Sequence, residues 1–453
     1  MPDWLDEMQR LLPGERVSTR RADREAAGRD ESTLPPVVPE AVAWPLSTGE
    51  VASLVTVAYE HGVPVTARGA GSSLEGNPIP VCGGVVLDLS RMNEVAAIEA
   101  DDLLVRVQPG VVYELLNRQL RPYGLFFPPH PGGSADVATI GGMVANNASG
   151  IYSVEYGATR DYVRAATVVT GTGEVVRLGS SCRKTSSGYH LIGLLVGSEG
   201  TLAIATEITL ALAPLPQARQ RGAFAFPREE DAAAAIAGMM RYGVVLAAVE
   251  FLDRRCIQAV NRLLASALPE QPLILIEVHG TEPALREQWT AAHALCVEGD
   301  GSALSADGGT DPWTVRQHVT RAIQALRPDA HIVRSDLAFP VSRLPDVVAG
   351  CYRLAQARDA VMYTFGHAGL GILHALILAE RSDAAAWARA SLVKDEIVAL
   401  ALRLGGSVSG EHGLGLGNRK YAALEHGNAL ELMRAIKQVF DPKGILNPGK
   451  LWE

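Results

Sequence analysis

The stretch Ala67-Arg68-Gly69-Ala70-Gly71-Ser72-Ser73-Leu74-Glu75-Gly76 follows a predicted strand at residues 63–67. Its glycines lack side chains, and Ser72 and Ser73 add hydroxyl donors, so phosphate oxygens could approach the backbone amides closely. We interpret this loop as an anion-binding nest. A tight turn that binds nothing is the structural alternative, because glycine-rich loops are common.

Two common nucleotide motifs are excluded by the residues around this loop. A dinucleotide Rossmann turn needs a third glycine and then a helix, but Leu74 takes the glycine position and Pro78 and Pro80 interrupt any helix. A P-loop needs Lys and then Ser or Thr after Gly76, where this chain has Asn77-Pro78. The loop is therefore neither a Rossmann turn nor a P-loop, and the anion nest and the tight turn stay open as its two interpretations.

Composition indicates an ordinary globular protein. The chain has 453 residues, of which 47% are hydrophobic and 20% charged, which predicts two or three domains with a large core. Lys+Arg number 41 and Asp+Glu 50, giving a net charge of −9, and no basic stretch is present, so nucleic acid is excluded as a partner. The five cysteines form no C-x-x-C pair, which argues against a disulfide framework or an iron–sulfur site and favours the reducing cytoplasm.

The chain also lacks the sequence patterns of export and membrane insertion. It opens with acidic residues rather than a basic region followed by an apolar one, so we expect no signal peptide. The apolar runs are strand-sized and far shorter than the roughly 20 residues of a membrane helix. We expect no transmembrane segment.

The pattern of apolar residues predicts two regions of different architecture. Residues 50–60 read as a helix capped by Ser47 or Thr48, inside a region of alternating strands and helices, whereas residues 15–36 are charged and loop-like. Pro214 and Pro216 mark the best boundary. Beyond it, predicted helices alternate with strands, which indicates an α+β domain on an antiparallel sheet; the strands are predicted at residues 247–251, 273–278, 332–336, 360–365 and 372–378.

Several sequence blocks, in this order and spacing, carry a family resemblance. They are Arg68 to Ser73, Phe127 to Pro131, Thr139 to Gly150, Tyr156 to Val163, Val196 to Leu202 and Phe440 to Lys450. The chain resembles the FAD-linked oxidases with a PCMH-type FAD-binding domain, of the vanillyl-alcohol oxidase type, a family that includes bacterial glycolate oxidases and D-lactate dehydrogenases. The resemblance covers nearly the whole chain.

This resemblance implies an α+β fold, with a PCMH-type FAD-binding domain of two α/β subdomains and a substrate (cap) domain whose antiparallel sheet is covered by helices. The implied domains are residues 1–37 (N-terminal helix and loop), 38–215 (FAD binding), 216–404 (cap) and 405–453, a segment that returns to the flavin. The implied FAD-binding residues are Arg68, Gly69, Ala70, Gly71, Ser72, Ser73, Pro129, Ile140, Gly141, Gly142, Asn146, Asn147, Gly150, Gly197, Glu199, Gly200 and Asn447.

Two histidine clusters lie in glycine-rich segments at residues 366–374 and 410–415. His367 and His374 are an odd number of positions apart, so a straight strand would point them to opposite faces, but the intervening glycines allow a bend that brings them together. A hydrogen-bonded core histidine is the structural alternative for each. Glu411 and His412 are adjacent, so an extended segment would direct their side chains oppositely.

By resemblance, His367, His374 and Glu411 bind a divalent metal, and His412 is the catalytic base. Two imidazoles and one carboxylate suit Zn²⁺, Mn²⁺ or Fe²⁺. The chain departs from the family motif, since Leu370 replaces an Asp and Ile372 an Asn. We therefore expect that groups orienting the ligands or contacting the substrate are lost, which would weaken metal binding or alter the substrate.

A third cluster predicts a carboxylate-binding site. On a helix Arg316 and Thr320 would share one face, and a guanidinium is a natural bidentate partner for a carboxylate. The segment resembles the one that binds the substrate carboxylate in D-2-hydroxyacid dehydrogenases, and Arg334 stands where relatives have Lys. A solvated surface arginine is the alternative for Arg316.

Together these features predict an FAD-dependent dehydrogenase that oxidises a D-2-hydroxy acid (glycolate, D-lactate or similar) to the 2-oxo acid by hydride transfer to flavin. The resemblance implies an electron acceptor, whether a quinone, a cytochrome or an iron–sulfur subunit. It also implies a homodimer or hetero-oligomer, in the cytoplasm or at the periphery of the inner membrane. A flavin oxidase of another alcohol and a catalytically silent FAD-holding subunit are the alternatives; the joint presence of His367, His374, Glu411, His412 and Arg316 argues against silence.

Overall fold

A computed structural model describes residues 2–305 and 310–452. The strands are β1 (Val17–Ser18), β2 (Ala41–Ala43), β3 (Val65–Arg68), β4 (Val85–Asp88), β5 (Val95–Glu99), β6 (Leu104–Val107), β7 (Leu125–Phe126), β8 (Val163–Thr170), β9 (Val175–Gly179), β10 (Ala203–Ala211), β11 (Ala213–Pro214), β12 (Ala218–Ala225), β13 (Ala248–Leu252), β14 (Leu273–Gly280), β15 (Ser302–Ala303), β16 (His331–Ala338), β17 (Met362–Gly366) and β18 (Ile372–Ala379). The α-helices are α1 (Asp3–Leu11), α2 (Arg21–Ala27), α3 (Thr48–His61), α4 (Tyr113–Leu120), α5 (Ile140–Asn146), α6 (Ser153–Tyr156), α7 (Thr159–Tyr162), α8 (Leu191–Leu195), α9 (Glu229–Arg241), α10 (Arg254–Leu264), α11 (Glu282–Glu298), α12 (Pro312–Leu326), α13 (Leu344–Ala357), α14 (Ala384–Arg403), α15 (Ala422–His426) and α16 (Ala429–Phe440).

The chain divides into two compact units. Unit 1 comprises Met1–Ser149, Gly157–Leu215 and Glu411–Glu453, and unit 2 comprises Gly150–Tyr156 and Pro216–Gly410. No helix in residues 2–305 and 310–452 has the length and apolar character needed to cross a membrane.

Unit 1 contains two principal sheets. In the four-stranded sheet, ordered β1-β2-β4-β3, the last three strands are parallel and β1 is antiparallel to β2. Helix α3 is the crossover between β2 and β3, and its buried Leu54 and Val55 share a core cluster with Val85 and Leu87 of β4. The five-stranded sheet, ordered β5-β6-β10-β8-β9, is antiparallel.

Two local predictions in unit 1 have different outcomes. Of the two caps predicted for α3, Ser47 is the N-cap, and its hydroxyl accepts a hydrogen bond from Glu50 N at 3.2 Å. The prediction that residues 15–36 are a loop is wrong, because they contain β1 and α2. The charged side chains are exposed or half-buried while Val17 and Ala27 are buried, so high charge did not exclude regular structure.

The C-terminal segment joins the first sheet of unit 1. Val65 N donates to Ile445 O at 2.8 Å, and Asn447 N donates to Val65 O at 2.7 Å. The carboxylate of Asp441 accepts from the backbone amides of Ile445 and Leu446 at 3.0 and 2.7 Å. These bonds hold Asn447 beside β3, the strand that leads into the glycine-rich nest.

Unit 2 is built on one seven-stranded sheet, ordered β15-β12-β14-β13-β17-β18-β16. Each of its strand pairs is antiparallel, which confirms the predicted antiparallel architecture. Helices α10 and α12 contribute Val260 and Val319 to a core cluster that includes Leu275 of the sheet. Of the predicted site residues of this unit, His374 lies on β18, Arg334 on β16, His367 just after β17, and Arg316 and Thr320 on α12.

Candidate active site

A cleft in unit 1, called the nest cleft below, encloses about 1360 Å³ of empty space, part of it open to solvent. Most of the predicted FAD-binding residues line it: Arg68, Gly69, Ala70, Gly71, Ser72, Ser73, Gly141, Gly142, Asn146, Glu199, Gly200 and Asn447. Glycine backbone and the hydroxyl groups of Ser72 and Ser73 form part of this lining. The nest cleft is therefore suited to a cofactor whose phosphate groups approach the backbone closely.

Five predicted FAD-binding residues do not belong to this lining: Pro129, Ile140, Asn147, Gly150 and Gly197. Pro129 and Ile140 are buried, and Gly150 begins the segment assigned to unit 2. Asn147 ends α5 in a left-handed conformation with φ of 51°, and its side-chain oxygen accepts from Arg160 N at 2.9 Å. The observed contacts give Asn147 a role in ending α5 and in positioning the start of α7.

The nest fits a cofactor that approaches the backbone closely. A Cβ atom added at Gly69 would lie 2.2 Å from Thr139 Oγ1, and Gly71 has a φ of 72° that favours glycine. Arg68, whose guanidinium lies under Gly71, donates from Nη1 to Arg29 O at 2.6 Å. A side chain at Gly69 would push Thr139, another lining residue, out of place, so the shape depends on bare backbone. The residues present fit FAD.

The predicted base and one predicted metal ligand line the same nest cleft. Both Glu411 and His412 belong to its lining. The hydroxyl of Ser149 donates to Glu411 Oε2 at 2.7 Å, while Glu411 Oε1 lies 4.0 Å from His412 Nε2. The prediction of an extended segment at this point is wrong, because residues 410–412 form a bend. The bend allows both side chains to line one cleft.

The backbone of this bend is anchored by residues distant in sequence. The carbonyl of His412 accepts from the side-chain amides of Asn77 at 3.4 Å and Asn146 at 3.3 Å. The carboxylate of Glu199 accepts from Leu414 N at 2.7 Å, from Gly415 N at 2.9 Å and from Asn77 Nδ2 at 2.5 Å. Burial raises the pKa of Glu199, although these three hydrogen bonds oppose the shift. Glu199, predicted as a cofactor residue, thus also holds the loop that carries Glu411 and His412.

We expect Glu199→Gln to lower the free energy of unfolding by about 1 to 3 kcal/mol. Three N–H donors point at the two carboxylate oxygens, and glutamine would turn an NH₂ group toward at least one of them. Relief of a buried charge offsets only part of this loss. Urea unfolding at pH 7 measures the change, with Glu174→Gln, at an exposed residue just before β9, as the matched control. Equal unfolding midpoints for both variants would contradict the anchoring role.

The two predicted histidine ligands of unit 2 lie on a tight hairpin. Strands β17 and β18 pair antiparallel with Phe365 opposite His374, and His367 follows the end of β17. The imidazole rings of His367 and His374 have centroids 5.7 Å apart. Gly371 makes the turn possible, because it has a φ of 73° and an added Cβ would lie 2.0 Å from Phe339 O. The glycines thus reverse the chain direction and bring the two histidines together.

A buried carboxylate lies beside each of these imidazoles. Glu250 Oε1 is 2.6 Å from His367 Nδ1, and Asp336 Oδ1 is 3.3 Å from His374 Nδ1. Burial opposes ionisation of Glu250, but His367 and Arg316 outweigh it and lower the pKa of the carboxyl group. A histidine ligand of a metal usually directs its other ring nitrogen to a carboxylate or carbonyl group. With Nδ1 bonded to Glu250, the His367 ring has Nε2 as its ligand atom, and the His374 ring lies beside it, so both histidines fit a divalent metal.

The predicted carboxylate-binding residues lie in unit 2. Arg316 and Thr320 are both on α12, as predicted; Thr320 is exposed, whereas the Arg316 side chain is 15% exposed and donates from Nε to Glu250 Oε2 at 2.6 Å. The Arg316 guanidinium carbon also lies 4.9 Å from the centre of the Phe365 ring. Arg334 is half-buried on β16, two positions from Asp336 and so on the same face of the strand. The Arg316 side chain is therefore held by Glu250 and Phe365 and is not a solvated surface arginine.

Four residues that contact the predicted site residues were not predicted from the sequence: Glu250, Asp336, Asn77 and Ser149. Glu250 had a detectable signal, because it is the single charged residue in the otherwise apolar run 244–252, where a buried carboxylate requires partners. Asp336 gave a weaker signal of the same kind, as a carboxylate within β16. Asn77 and Ser149 gave no local signal, since their partners lie 335 and 262 positions away.

Comparison with known families and structures identifies the chain. The family described as "FAD linked oxidases, C-terminal domain" matches residues 215–451, and "FAD binding domain" matches residues 39–179. The chain belongs to the FAD-linked oxidases. This FAD-linked oxidase is a flavoprotein and an oxidoreductase, and its FAD-binding domain is of the PCMH type.

The FAD-linked oxidase has relatives over its whole length. It is 34% identical to "D-lactate dehydrogenase [cytochrome], mitochondrial" of Arabidopsis thaliana, covering 100% of this chain and 80% of that one. It is 33% identical to "Glycolate oxidase subunit GlcD" of Bacillus subtilis (strain 168), covering 92% and 89%. Its fold is similar to that of substrate-bound p-cresol methylhydroxylase, with a TM-score of 0.82 at 17% identity over 99% of this chain and 96% of that one. This confirms the predicted fold class.

Proposed function

We propose that this FAD-linked oxidase is a dehydrogenase that oxidises a D-2-hydroxy acid, such as D-lactate or glycolate, to the 2-oxo acid. The observation that carries the proposal is the composition of the nest cleft, whose lining includes the glycine nest together with Glu411 and His412. An imidazole in the wall of a flavin cleft is suited to remove the proton of a substrate hydroxyl group. Relatives named as a D-lactate dehydrogenase and as part of a glycolate oxidase support the substrate class.

Arg316 is proposed to bind the substrate carboxylate. Its Nε is taken by Glu250, so the terminal Nη groups are the ones that would face a ligand. Stacking on Phe365 and the bond to Glu250 limit the rotation of the guanidinium, which reduces the entropy lost on binding. Arg334 and Thr320 are proposed as further contacts of the substrate.

His367, His374 and Glu411 are proposed to hold a divalent metal, Zn²⁺, Mn²⁺ or Fe²⁺. Bound FAD supplies an acceptor for the α-hydrogen as hydride, and a bound metal supplies a Lewis acid for the hydroxyl oxygen. His412 takes the hydroxyl proton, while the Ser149 hydroxyl fixes the orientation of Glu411. The backbone anchors of the bend keep His412 in position without using its imidazole.

Each oxidation releases two electrons, so the proposal requires an acceptor. A quinone, a cytochrome and an iron–sulfur subunit are the candidate classes, and a homodimer or a hetero-oligomer would accommodate them. All five cysteines, each within the described residues, are free thiols, which supports a cytoplasmic location, with peripheral contact to the inner membrane where the acceptor is a quinone.

Anaerobic mixing of the FAD-loaded protein with glycolate, D-lactate and D-2-hydroxyglutarate tests the proposal. We expect one of these acids to bleach the flavin absorbance band, and its L enantiomer, where one exists, to react much more slowly. Bleaching by a different alcohol alone would instead favour the flavin-oxidase alternative, which the apolar Leu370 and Ile372 support. No bleaching by any of them with Zn²⁺, Mn²⁺ or Fe²⁺ added would favour the silent subunit and contradict the proposal.

A further inference from the structure

Glu250 is a buried carboxylate of unit 2 with two side-chain partners. It lies on the central strand β13 and is fully buried. Oε1 is 2.6 Å from His367 Nδ1, and Oε2 accepts from Arg316 Nε at 2.6 Å. One carboxylate therefore contacts both a proposed metal ligand and the proposed substrate-binding arginine.

These three side chains are part of a closed ring of contacts. The Arg316 guanidinium carbon is 4.9 Å from the Phe365 ring centre, and the Phe365 and His374 rings have centroids 5.3 Å apart. The imidazole centroids of His374 and His367 are 5.7 Å apart, and the bond between His367 and Glu250 completes the circuit of contacts. Because β13, β17 and β18 are neighbours in one sheet, the backbone fixes most members of this ring.

We propose that Glu250 is a positioning residue that couples metal binding at His367 to carboxylate binding at Arg316. The inference rests on the proposed function and adds a shared support for its two binding groups. An ionised Glu250 accepts a hydrogen bond from the proton-bearing Nδ1 of His367, which leaves the lone pair on Nε2 for the metal. The same carboxylate holds Arg316 by Nε and so directs its Nη groups outward.

A neutral residue of the same shape cannot serve both partners. Glutamine could accept from His367 with its oxygen, but its NH₂ would then face the Nε–H donor of Arg316. In the opposite orientation the NH₂ would donate to His367 Nδ1, which moves the imidazole proton to Nε2 and removes the lone pair that a metal needs. Each orientation of the glutamine therefore loses its hold on either His367 or Arg316. A side chain that exchanges between the two orientations holds both residues more weakly.

Glu250→Gln and Asp336→Asn, compared as full-length FAD-loaded proteins, test the coupling. Both remove a buried carboxylate beside a histidine, but the side chain of Asp336 contacts His374, Ser409 and Gly410. We expect zinc affinity, from chelator competition, to fall roughly 10 to 100-fold in each variant. Pyruvate affinity of the zinc-free protein, from the change in flavin absorbance, should fall about tenfold in Glu250→Gln and stay near the wild-type value in Asp336→Asn.

Two results would overturn the coupling while the proposed function stands. In one, Glu250→Gln keeps both affinities within about threefold of a wild type that binds zinc and pyruvate. In the other, Asp336→Asn loses pyruvate affinity as strongly as Glu250→Gln, which would mark general core damage. A wild type that binds neither probe and shows no bleaching would instead remove the proposed function and the coupling with it.

The imidazole tautomer gives a measurement that does not depend on whether Glu250→Gln folds. In metal-free wild-type protein labelled with ¹⁵N-histidine, the His367 signals are identified by their loss in His367→Gln. The inference requires the ring proton on Nδ1, where it faces Glu250. A proton on Nε2 in the neutral ring would overturn it.

Discussion

Replacement of His412 by alanine is expected to slow substrate-dependent bleaching of the flavin by about 10² to 10⁴-fold, the usual contribution of a general base. FAD should stay bound, because the loop is held through its backbone. The His412 carbonyl accepts from Asn77 and Asn146, and Glu199 accepts from the next amides. Removing the imidazole leaves these bonds in place. Stopped-flow absorbance under anaerobic conditions measures the rate, and the visible flavin spectrum of the purified protein measures FAD content.

The control for this variant is His426→Ala, which removes a histidine of the same unit at the end of α15. It should bleach at the wild-type rate. The assignment of the base is wrong if His412→Ala reduces its flavin within about tenfold of the wild-type rate. Loss of FAD from His412→Ala alone would show that the imidazole acts mainly in cofactor binding.

The glycine nest and the sheet of unit 2 were predictable because the sequence patterns that indicate them are local. Glycines at 69 and 71 followed by two serines describe a backbone shape, and the lining of the nest cleft contains each of these residues. Strand-sized apolar runs that alternate with predicted helices were sufficient to predict the antiparallel sheet of unit 2. The bend at Glu411 and His412 was not predictable, because it depends on Glu199, which lies 215 positions from its hydrogen-bond donor Leu414.

The carboxylates beside the predicted histidine ligands are placed there by the register of the sheet strands, which short motifs do not encode. Sequence comparison suggested that Leu370 and Ile372 remove groups that orient the histidines. In the structure, carboxylates on β13 and β16 lie beside both imidazoles: Glu250 is 117 positions from His367, and Asp336 is directly opposite His374 in the sheet. The hydrogen bond to Glu250 orients His367 without a polar group at 370 or 372, and the effect of those two positions on metal binding and substrate choice stays a prediction.

Removal of the metal is expected to suppress bleaching as strongly as loss of the base, by at least about 10²-fold. A free hydroxyl group has a pKa far above that of an imidazole, so it is a poor proton donor to such a base. A divalent metal lowers the pKa of a hydroxyl group that binds to it, just as it lowers the pKa of bound water to about 7 in favourable sites. Without the metal, His412 would have to take the proton against this difference of many pKa units.

Dialysis against a chelator, followed by separate addition of Zn²⁺, Mn²⁺ and Fe²⁺, tests this expectation. FAD should be retained throughout, because the residues that line the nest cleft belong to unit 1 whereas His367 and His374 belong to unit 2. His374→Ala should reproduce the effect of the chelator and resist rescue, while His331→Ala, which removes a half-buried histidine of β16, should respond to metal like the wild type. Bleaching that persists in protein shown by elemental analysis to be metal-free would exclude a catalytic metal and leave His412 and Arg316 as the groups that must account for the reaction.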